Sequence, residues 1–290
     1  MKTLIKYIVV SAVLLLAGCS KNITLNVPMA PSQLVVEGHI EPGTTAYLYL
    51  SHNFNFYGTT SITSILTSDV VHGAHIAISD GTTTDSMYET NPFIGFYQNK
   101  VMKGVVGKTY SLTVIANGQT ATASTTLLAP IKLDSVWFQV QPNADSLGYM
   151  WAILNDPPTP GNNYRWMAKR INKITAMADT TYVPPDESVF NDQLINGKKF
   201  EFFYGRGSLP GSRAADDSNI EAGYFKKHDT VVVKFCTIST AAYNFYNIYY
   251  FQLNNTGNPF GSPAPITGNI NGGLGIWCGY GSSYDTVICK

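Results

Sequence analysis

The chain has 290 residues, of which 44% are hydrophobic and only 13% are charged, and its 19 basic residues balance its 19 acidic residues. This hydrophobic content is too high for a disordered protein, and a neutral chain carries no net attraction to nucleic acid. The 18 tyrosines, 14 phenylalanines, 25 glycines and 15 prolines favour short strands separated by turns. We therefore expect a mainly β protein that binds no nucleic acid.

Residues 1–18 have the pattern of a bacterial lipoprotein signal peptide. A short basic start precedes an apolar run that is too short for a membrane-spanning helix of about 20 residues. The run ends in Leu16-Ala17-Gly18-Cys19, which resembles a lipobox, because small residues give the peptidase access to the bond before the acylated thiol. Cys19 is therefore predicted to carry the lipid that anchors the protein to the membrane. Residues 19–32 are predicted to form a tether.

Three further cysteines lie in the C-terminal part of the chain, at Cys236, Cys278 and Cys289. Disulfides form in oxidising compartments, and a glycine- and serine-containing segment separates Cys278 from Cys289. If this segment forms a hairpin, the two thiols come within bridging distance. The sequence therefore favours a Cys278–Cys289 disulfide with Cys236 as a buried strand thiol, while a pairing with Cys236 stays open.

Short β-prone runs separated by turn signals fill residues 33–128. The runs cover residues 34–40, 46–50, 75–79, 95–97, 107–114 and 121–128, with turn signals at Asp80-Gly81 and Asn117-Gly118. The run at residues 46–50 is continuously apolar, which predicts a strand buried on both faces. Six such runs in roughly a hundred residues come close to the seven short strands that are typical of an immunoglobulin-like β-sandwich, and they predict that fold.

Residues 129–290 are predicted to form a larger β-rich domain with one helix. The helix runs from Ser239, its N-cap, to Leu253. Because its side chains are apolar or aromatic nearly all round, we expect it to be buried in the core, and the alternative is a platform on which a carbohydrate stacks. The glycine-rich stretch from Gly268 to Gly275 lacks the residues of a phosphate loop and the carboxylates of a calcium site, so we expect a tight turn packed on this helix.

A series of short motifs follows through the chain: Leu34-Val35-Val36-Glu37-Gly38, Gly107-Lys108-Thr109-Tyr110, Leu133-Asp134-Ser135-Val136, Asn163-Tyr164-Arg165, Phe190-Asn191-Asp192, Asp229-Thr230-Val231-Val232-Val233, Asn258-Pro259-Phe260, Gly268-Asn269-Ile270 and Gly273-Leu274-Gly275. Their order, together with the lipobox, resembles the Bacteroidota lipoproteins of the domain-of-unknown-function 4249 type. Trp277 stands where a different aromatic residue is common in that family. The resemblance implies an outer-membrane location and a role beside TonB-dependent receptors. It supplies no catalytic residue, because none is established for the family.

Candidate catalytic and metal-binding residues form no complete constellation in the sequence. His72 and His75 have a metal-site spacing, but no glutamate follows the first histidine. Asp186-Glu187 and Asp216-Asp217 lie in polar loops, and a glycosidase needs two carboxylates in one cleft. The serine-hydrolase motif G-x-S-x-G is missing. We therefore expect no enzymatic activity, no metal and no cofactor.

An aspartate followed by serine or threonine recurs along the chain before an apolar residue or threonine. This tripeptide resembles the O-glycosylation signal of Bacteroidota envelope proteins, and the alternative is an aspartate that closes a turn before a strand. The predicted acceptors are Ser86, Ser135, Ser146, Thr180, Thr230 and Thr286.

These observations predict a non-enzymatic lipoprotein, anchored in the outer membrane through Cys19, that binds a ligand or partner. The partner that the resemblance implies is a TonB-dependent receptor. Tyrosine, phenylalanine and tryptophan offer rigid contact area for such binding. Two alternatives stay open: an envelope hydrolase whose carboxylates meet only in the fold, and a structural spacer without an exposed aromatic patch.

Overall fold

The computed structural model describes residues 31–53, 69–171, 179, 181–207, 223–255 and 265–290. Cys19, the signal peptide, nearly all of the tether, Thr180 and Asp216-Asp217 lie outside these residues. Within them the chain is mainly β, as predicted, with three sheets and one α-helix. No helix in this part of the chain has the length and apolarity to cross a membrane.

The strands and helices, in chain order, are β1 (Leu34–Ile40), β2 (Thr45–His52), β3 (His75–Ser79), β4 (Thr84–Asn91), a 3-10 helix (Pro92–Ile94), β5 (Phe96–Lys103), β6 (Thr109–Ala116), β7 (Gln119–Thr126), β8 (Ser135–Val140), β9 (Leu147–Asn155), β10 (Asn163–Arg170), β11 (Val189–Asn191), β12 (Lys199–Tyr204), β13 (Phe225–Lys226), β14 (Thr230–Ile238), α1 (Thr240–Asn254), β15 (Leu274–Gly279) and β16 (Gly281–Ile288). The eight-stranded first sheet has the order β15-β1-β2-β5-β4-β3-β6-β7. The second sheet has the order β11-β10-β14-β16, and in the third β8, β12 and β13 all pair with β9.

The first sheet encloses its own core, in a β-sandwich-like arrangement. Leu48 and Leu50 of β2 point into this core and are fully buried. Tyr47 and Tyr49 point to the opposite face, where Tyr49 is 39% exposed. The prediction that residues 46–50 are buried on both faces is therefore wrong, because the strand alternates with the period of two of a half-buried strand.

A strand from the end of the chain completes this first sheet. β15 pairs in parallel with β1, and Trp277 of β15 is buried in the first core, where its indole N–H donates to the Tyr110 carbonyl at 3.0 Å. Gly275 has a φ of 104°, and a Cβ there would lie 1.9 Å from the Val36 carbonyl oxygen, so only glycine fits the pairing. The predicted regions 33–128 and 129–290 therefore share a sheet, and the described residues from Ser32 onward belong to one compact unit.

The second and third sheets pack on each other through a second core. Met150 of β9, Trp166 of β10 and Phe235 of β14 are fully buried in it. A third cluster of buried side chains lies where α1 packs against β10, β11 and β15, and it includes Ile238 and Ile276.

Helix α1 begins where the sequence predicts and is buried on one face. The Ser239 hydroxyl accepts the N–H of Ala242 at 3.2 Å, which caps the helix. Ala242, Tyr246 and Tyr250 are buried at successive turns, whereas Phe251 is 58% exposed. The predicted core helix is thus confirmed for one face only. Most of the glycine-rich stretch contacts the first sheet instead of this helix: Ile270 packs against the first core, and the Asn269 amide donates to the Ser124 carbonyl at 3.1 Å. The predicted packing on the helix is limited to the start of the stretch, where Gly268 approaches the Phe245 ring.

The predicted disulfide between Cys278 and Cys289 is wrong. All three described cysteines are buried free thiols. The segment between Cys278 and Cys289 forms the extended strand β16 rather than a hairpin, and at about 3.3 Å per residue it holds the two residues far beyond the ~7 Å Cα separation that a disulfide tolerates. Cys236 is a buried strand thiol, as predicted, with its sulfur 3.4 Å from the Ser282 hydroxyl.

These thiols should react only after unfolding. Burial raises the pKa of Cys236 to about 11 and that of Cys289 to about 12, so neither forms an appreciable thiolate at pH 8. We expect a thiol reagent to label none of the three in the folded protein and all three after denaturation without reductant, as counted by mass spectrometry. A cross-linked Cys278–Cys289 peptide in a non-reduced digest would contradict this assignment.

Candidate functional site

A cavity of about 470 Å³ lies between the outer face of β1 and β2, strands β10 and β14, and helix α1. Its volume and mainly apolar lining fall within the range of small-molecule sites. We call it the aromatic cavity, because eight rings from distant parts of the chain line it: Tyr47, Tyr49, Tyr182, Phe245, Tyr246, Tyr249, Tyr250 and Tyr280. A few charged or titratable side chains share the lining, namely Glu37, His39, Arg165, Asp186 and Lys234.

Strand alternation and helix periodicity place the rings. Because Leu48 and its aliphatic neighbours face the first core, Tyr47 and Tyr49 face the cavity, with their ring centroids 6.2 Å apart. On α1, Phe245 and Tyr249 are one turn apart and stack at 6.3 Å with an angle of 5° between the rings. Two elements that are distant in sequence thus present aromatic surfaces to the same space.

Arg165 of β10 lies among the tyrosines of the cavity and is 6% exposed. Its guanidinium carbon lies 3.5 Å from the centroid of the Tyr246 ring, a cation–π contact. Nη1 donates to the Tyr280 hydroxyl, and Nη2 lies 3.5 Å from the Tyr250 hydroxyl. Its Nε has no hydrogen-bond partner, and among the described residues no acidic side chain lies within ion-pair distance.

Lys234, the second buried cation at the cavity, is neutralised by Glu41. The Lys234 ammonium donates to the Glu41 carboxylate, which also accepts the Tyr284 hydroxyl and lies 2.9 Å from His39 Nε2. Burial lowers the pKa of His39 to about 4, so its ring is neutral at pH 7. Although burial raises it, the hydrogen bond with His39 and the charge of Lys234 hold the pKa of Glu41 well below its ordinary value. Glu41 is therefore a fixed anion and not a proton donor near neutral pH.

The histidines with metal-site spacing lie away from this cavity. His72 Nδ1 pairs with the Glu89 carboxylate at 2.6 Å, and His75 is an exposed residue at the start of β3. Within the described part of the chain, no three histidine, cysteine or acidic side chains cluster in a way that could hold a metal ion. Of the loop carboxylates, Asp186 lines the aromatic cavity and is exposed.

The predicted glycosylation sites differ in exposure. Ser86, Ser135 and Thr286 are exposed, whereas Ser146 and Thr230 are half-buried. At the first of these sites the preceding Asp85 carboxylate accepts the backbone N–H groups of Val101 and Met102 at 2.9 and 2.8 Å. The aspartate therefore has a structural role there, and glycosylation stays a prediction.

A second aromatic surface crosses the outer face of the third sheet. Trp137 stacks on Trp151 at 6.2 Å, Trp151 on Phe203 at 4.7 Å, and Phe203 on Tyr149 at 5.1 Å. Phe203 is 47% exposed. The spacer alternative predicts no exposed aromatic patch and does not account for this surface.

The aromatic cavity cannot be recognised from the sequence, because its residues meet only in the fold. In the sequence, Arg165 stands out only within the motif Asn163-Tyr164-Arg165, and the apolar run at residues 46–50 predicts that Tyr47 and Tyr49 lie in the core. The alternation of tyrosine with aliphatic residues in Ala46-Tyr47-Leu48-Tyr49-Leu50 is the local signal that could have revealed it.

Comparisons with known proteins assign the chain to a family without indicating an activity. Residues 20–285 match the model of the family described as domain of unknown function (DUF4249), and the chain belongs to that family. No curated protein matches it. Among solved structures, the chicken interferon gamma receptor alpha chain is similar at 9% identity over 72% of this chain and 90% of that chain, with a TM-score of 0.19. That score is too low to indicate a common fold.

Proposed function

We propose that this member of the DUF4249 family is a non-enzymatic lipoprotein of the outer membrane that binds a small ligand in the aromatic cavity and acts beside a TonB-dependent receptor. The observation that carries the proposal is the cavity itself, about 470 Å³ in volume, with rings around the buried Arg165. A mainly apolar cavity with a few converging polar groups is the usual form of a ligand site.

The polar groups of the cavity favour binding over catalysis. Glu41 is engaged by Lys234, and the buried His39 is neutral and hydrogen-bonded to the same carboxylate. A hydrolase is the second candidate, because Glu37 and Asp186 both line the cavity. Both carboxylates are exposed, however, whereas a carboxyl group that acts as an acid at neutral pH is normally shielded from water.

Membrane attachment through Cys19 is tested by its replacement with alanine. The Cys19→Ala protein should be found unprocessed or in the soluble fraction, because the acyl acceptor is gone. A Cys236→Ala variant is the matched control and should stay membrane-bound, since that thiol is buried in β14. A Cys19→Ala protein that is cleaved at the signal peptide and still membrane-bound would overturn the anchor assignment.

The link to a receptor is tested by purifying the lipidated protein from its native membranes in mild detergent. We expect a TonB-dependent receptor to co-purify and to be identified by mass spectrometry. The same purification with Cys19→Ala should yield no receptor. If the lipidated protein is recovered without any such receptor, the receptor part of the proposal is wrong, while ligand binding is tested separately.

A further inference from the structure

We infer that the ligand of the aromatic cavity is a carboxylic acid carried on a ring, and that its carboxylate pairs with Arg165. This inference rests on the proposed function, because it specifies the ligand of the same cavity.

The first argument is the charge of Arg165. A guanidinium stays protonated even when buried, and a buried charge without a counter-ion costs several kcal/mol. The other described arginines each have an aspartate: Arg170 lies 3.7 Å from Asp229, and Arg206 lies 2.8 Å from Asp179. Arg165 is more deeply buried than Arg206 and has no such partner among the described residues. Arg165 therefore lacks a counter-ion in direct contact with it.

Neighbouring groups do not supply that charge. Burial raises the pKa of Tyr246 and of Tyr280 above the ordinary value, so both phenols are neutral at pH 7. Glu41 already neutralises Lys234. Glu37 and Asp186 line the cavity. Against the lowering effect of burial, the charge of Glu37 raises the pKa of Arg165 from a distance, but both carboxylates are exposed and neither forms an ion pair with Arg165. An anion that enters the cavity would supply the directly contacting negative charge that these groups do not.

The second argument is the set of unused donors. Arg165 Nε is buried without a hydrogen-bond partner, and Nη2 makes only a long contact of 3.5 Å with the Tyr250 hydroxyl. A carboxylate accepts two parallel N–H bonds from a guanidinium, which suits two adjacent and poorly satisfied nitrogens. The donor set therefore matches a carboxylate better than a hydroxyl or an amide.

The third argument is the shape of the walls. Tyr47, Tyr49 and Tyr249 are only half-buried or exposed, so their rings keep surface available to a ligand. Flat apolar faces favour a ring over a flexible chain, because a ring loses less conformational entropy on binding. An aromatic acid and an acidic sugar share this chemistry, a ring bearing a carboxylate, and the experiment separates them.

The experiment is a calorimetric titration of the full mature protein with two matched pairs of compounds. The aromatic pair is 4-hydroxyphenylacetate and its neutral analogue 2-(4-hydroxyphenyl)ethanol, and the sugar pair is glucuronate and glucose. We expect at least one acid to bind at least tenfold more tightly than its neutral partner. A difference in affinity within the aromatic pair indicates an aromatic acid, and a difference within the sugar pair indicates an acidic sugar.

Arg165→Gln should reduce the affinity for that acid at least tenfold, to the level of the neutral partner. Arg206→Gln is the matched control, since Arg206 does not line the cavity, and it should leave the affinity unchanged. Circular dichroism shows whether Arg165→Gln folds. If it does not, the inference is tested on the unaltered protein alone, by comparing the affinity of each acid with that of its neutral partner.

Equal affinities within both pairs would overturn the inference, and so would failure of both acids to bind at millimolar concentration. Failure of the inference is distinguishable from failure of the proposed function. A neutral molecule retained by protein purified from native membranes contradicts the carboxylate but leaves ligand binding intact. Protein that carries no molecule and binds none of the four compounds contradicts both.

Discussion

Replacing Tyr246 with alanine should lower the free energy of unfolding by about 3–5 kcal/mol, the usual cost of deleting a buried aromatic side chain. The Tyr246 ring is 3% exposed and contacts the Arg165 guanidinium, and its hydroxyl lies 2.7 Å from that of Tyr280. Phe245 precedes it on the same helix but is only half-buried at the wall of the aromatic cavity. Phe245→Ala should therefore cost about 1 kcal/mol, the centre of the range for ordinary substitutions.

Urea unfolding of the two variants measures this difference. Both side chains line the aromatic cavity. The two variants should therefore differ less in ligand affinity than they differ in stability. Equal losses of stability in both variants would contradict the assignment of a single buried face to α1. A Tyr246→Phe variant keeps the ring and should recover most of the stability lost in Tyr246→Ala.

Removing either partner of the buried pair Lys234–Glu41 should cost about 3–5 kcal/mol, because each change leaves the other charge buried without compensation. Lys234 is 3% exposed and Glu41 is 6% exposed, so water screens neither. Lys234→Met and Glu41→Gln are the single variants, and the double variant removes both charges together. We expect the double variant to lose clearly less stability than the sum of the single variants.

This double-mutant cycle is measured by denaturant unfolding of the four proteins. The matched control is the surface pair Lys108–Asp80, whose lysine side chain is 44% exposed and whose coupling should be much smaller. Additive effects of Lys234→Met and Glu41→Gln would show that the two charges do not neutralise each other in solution. In that case Arg165 would not be the single uncompensated cation of the cavity.

Local signals were sufficient to predict individual elements. β1 and β3 have the predicted bounds, residues 34–40 and 75–79, because their alternation and flanking turns are encoded within a few residues. The N-cap of α1 at Ser239 is a local signal of the same kind. By contrast, the sequence does not predict β4, since the segment from Thr84 to Asn91 is polar and buries only Met87.

Features that depend on distant contacts could not be predicted. The pairing of β15 with β1 joins residues at opposite ends of the described chain, and nothing near Trp277 indicates that partner. Strand β16 runs between Cys278 and Cys289 and places them in different clusters of buried side chains. The predicted disulfide is wrong for this reason. Arg165 meets the Tyr280 hydroxyl across 115 residues of sequence, so the composition of the aromatic cavity is a property of the fold.

The central claim, that the aromatic cavity holds a ligand, is tested most directly by native mass spectrometry of protein purified without denaturation from its own membranes. The account predicts a bound small molecule on the unaltered protein and its loss from Leu253→Trp, because Leu253 lines the cavity and the larger ring narrows it. Phe251→Trp on the same helix, outside the lining, should retain the molecule. A bound molecule that persists equally in Leu253→Trp, or its absence from all three proteins, would contradict the claim.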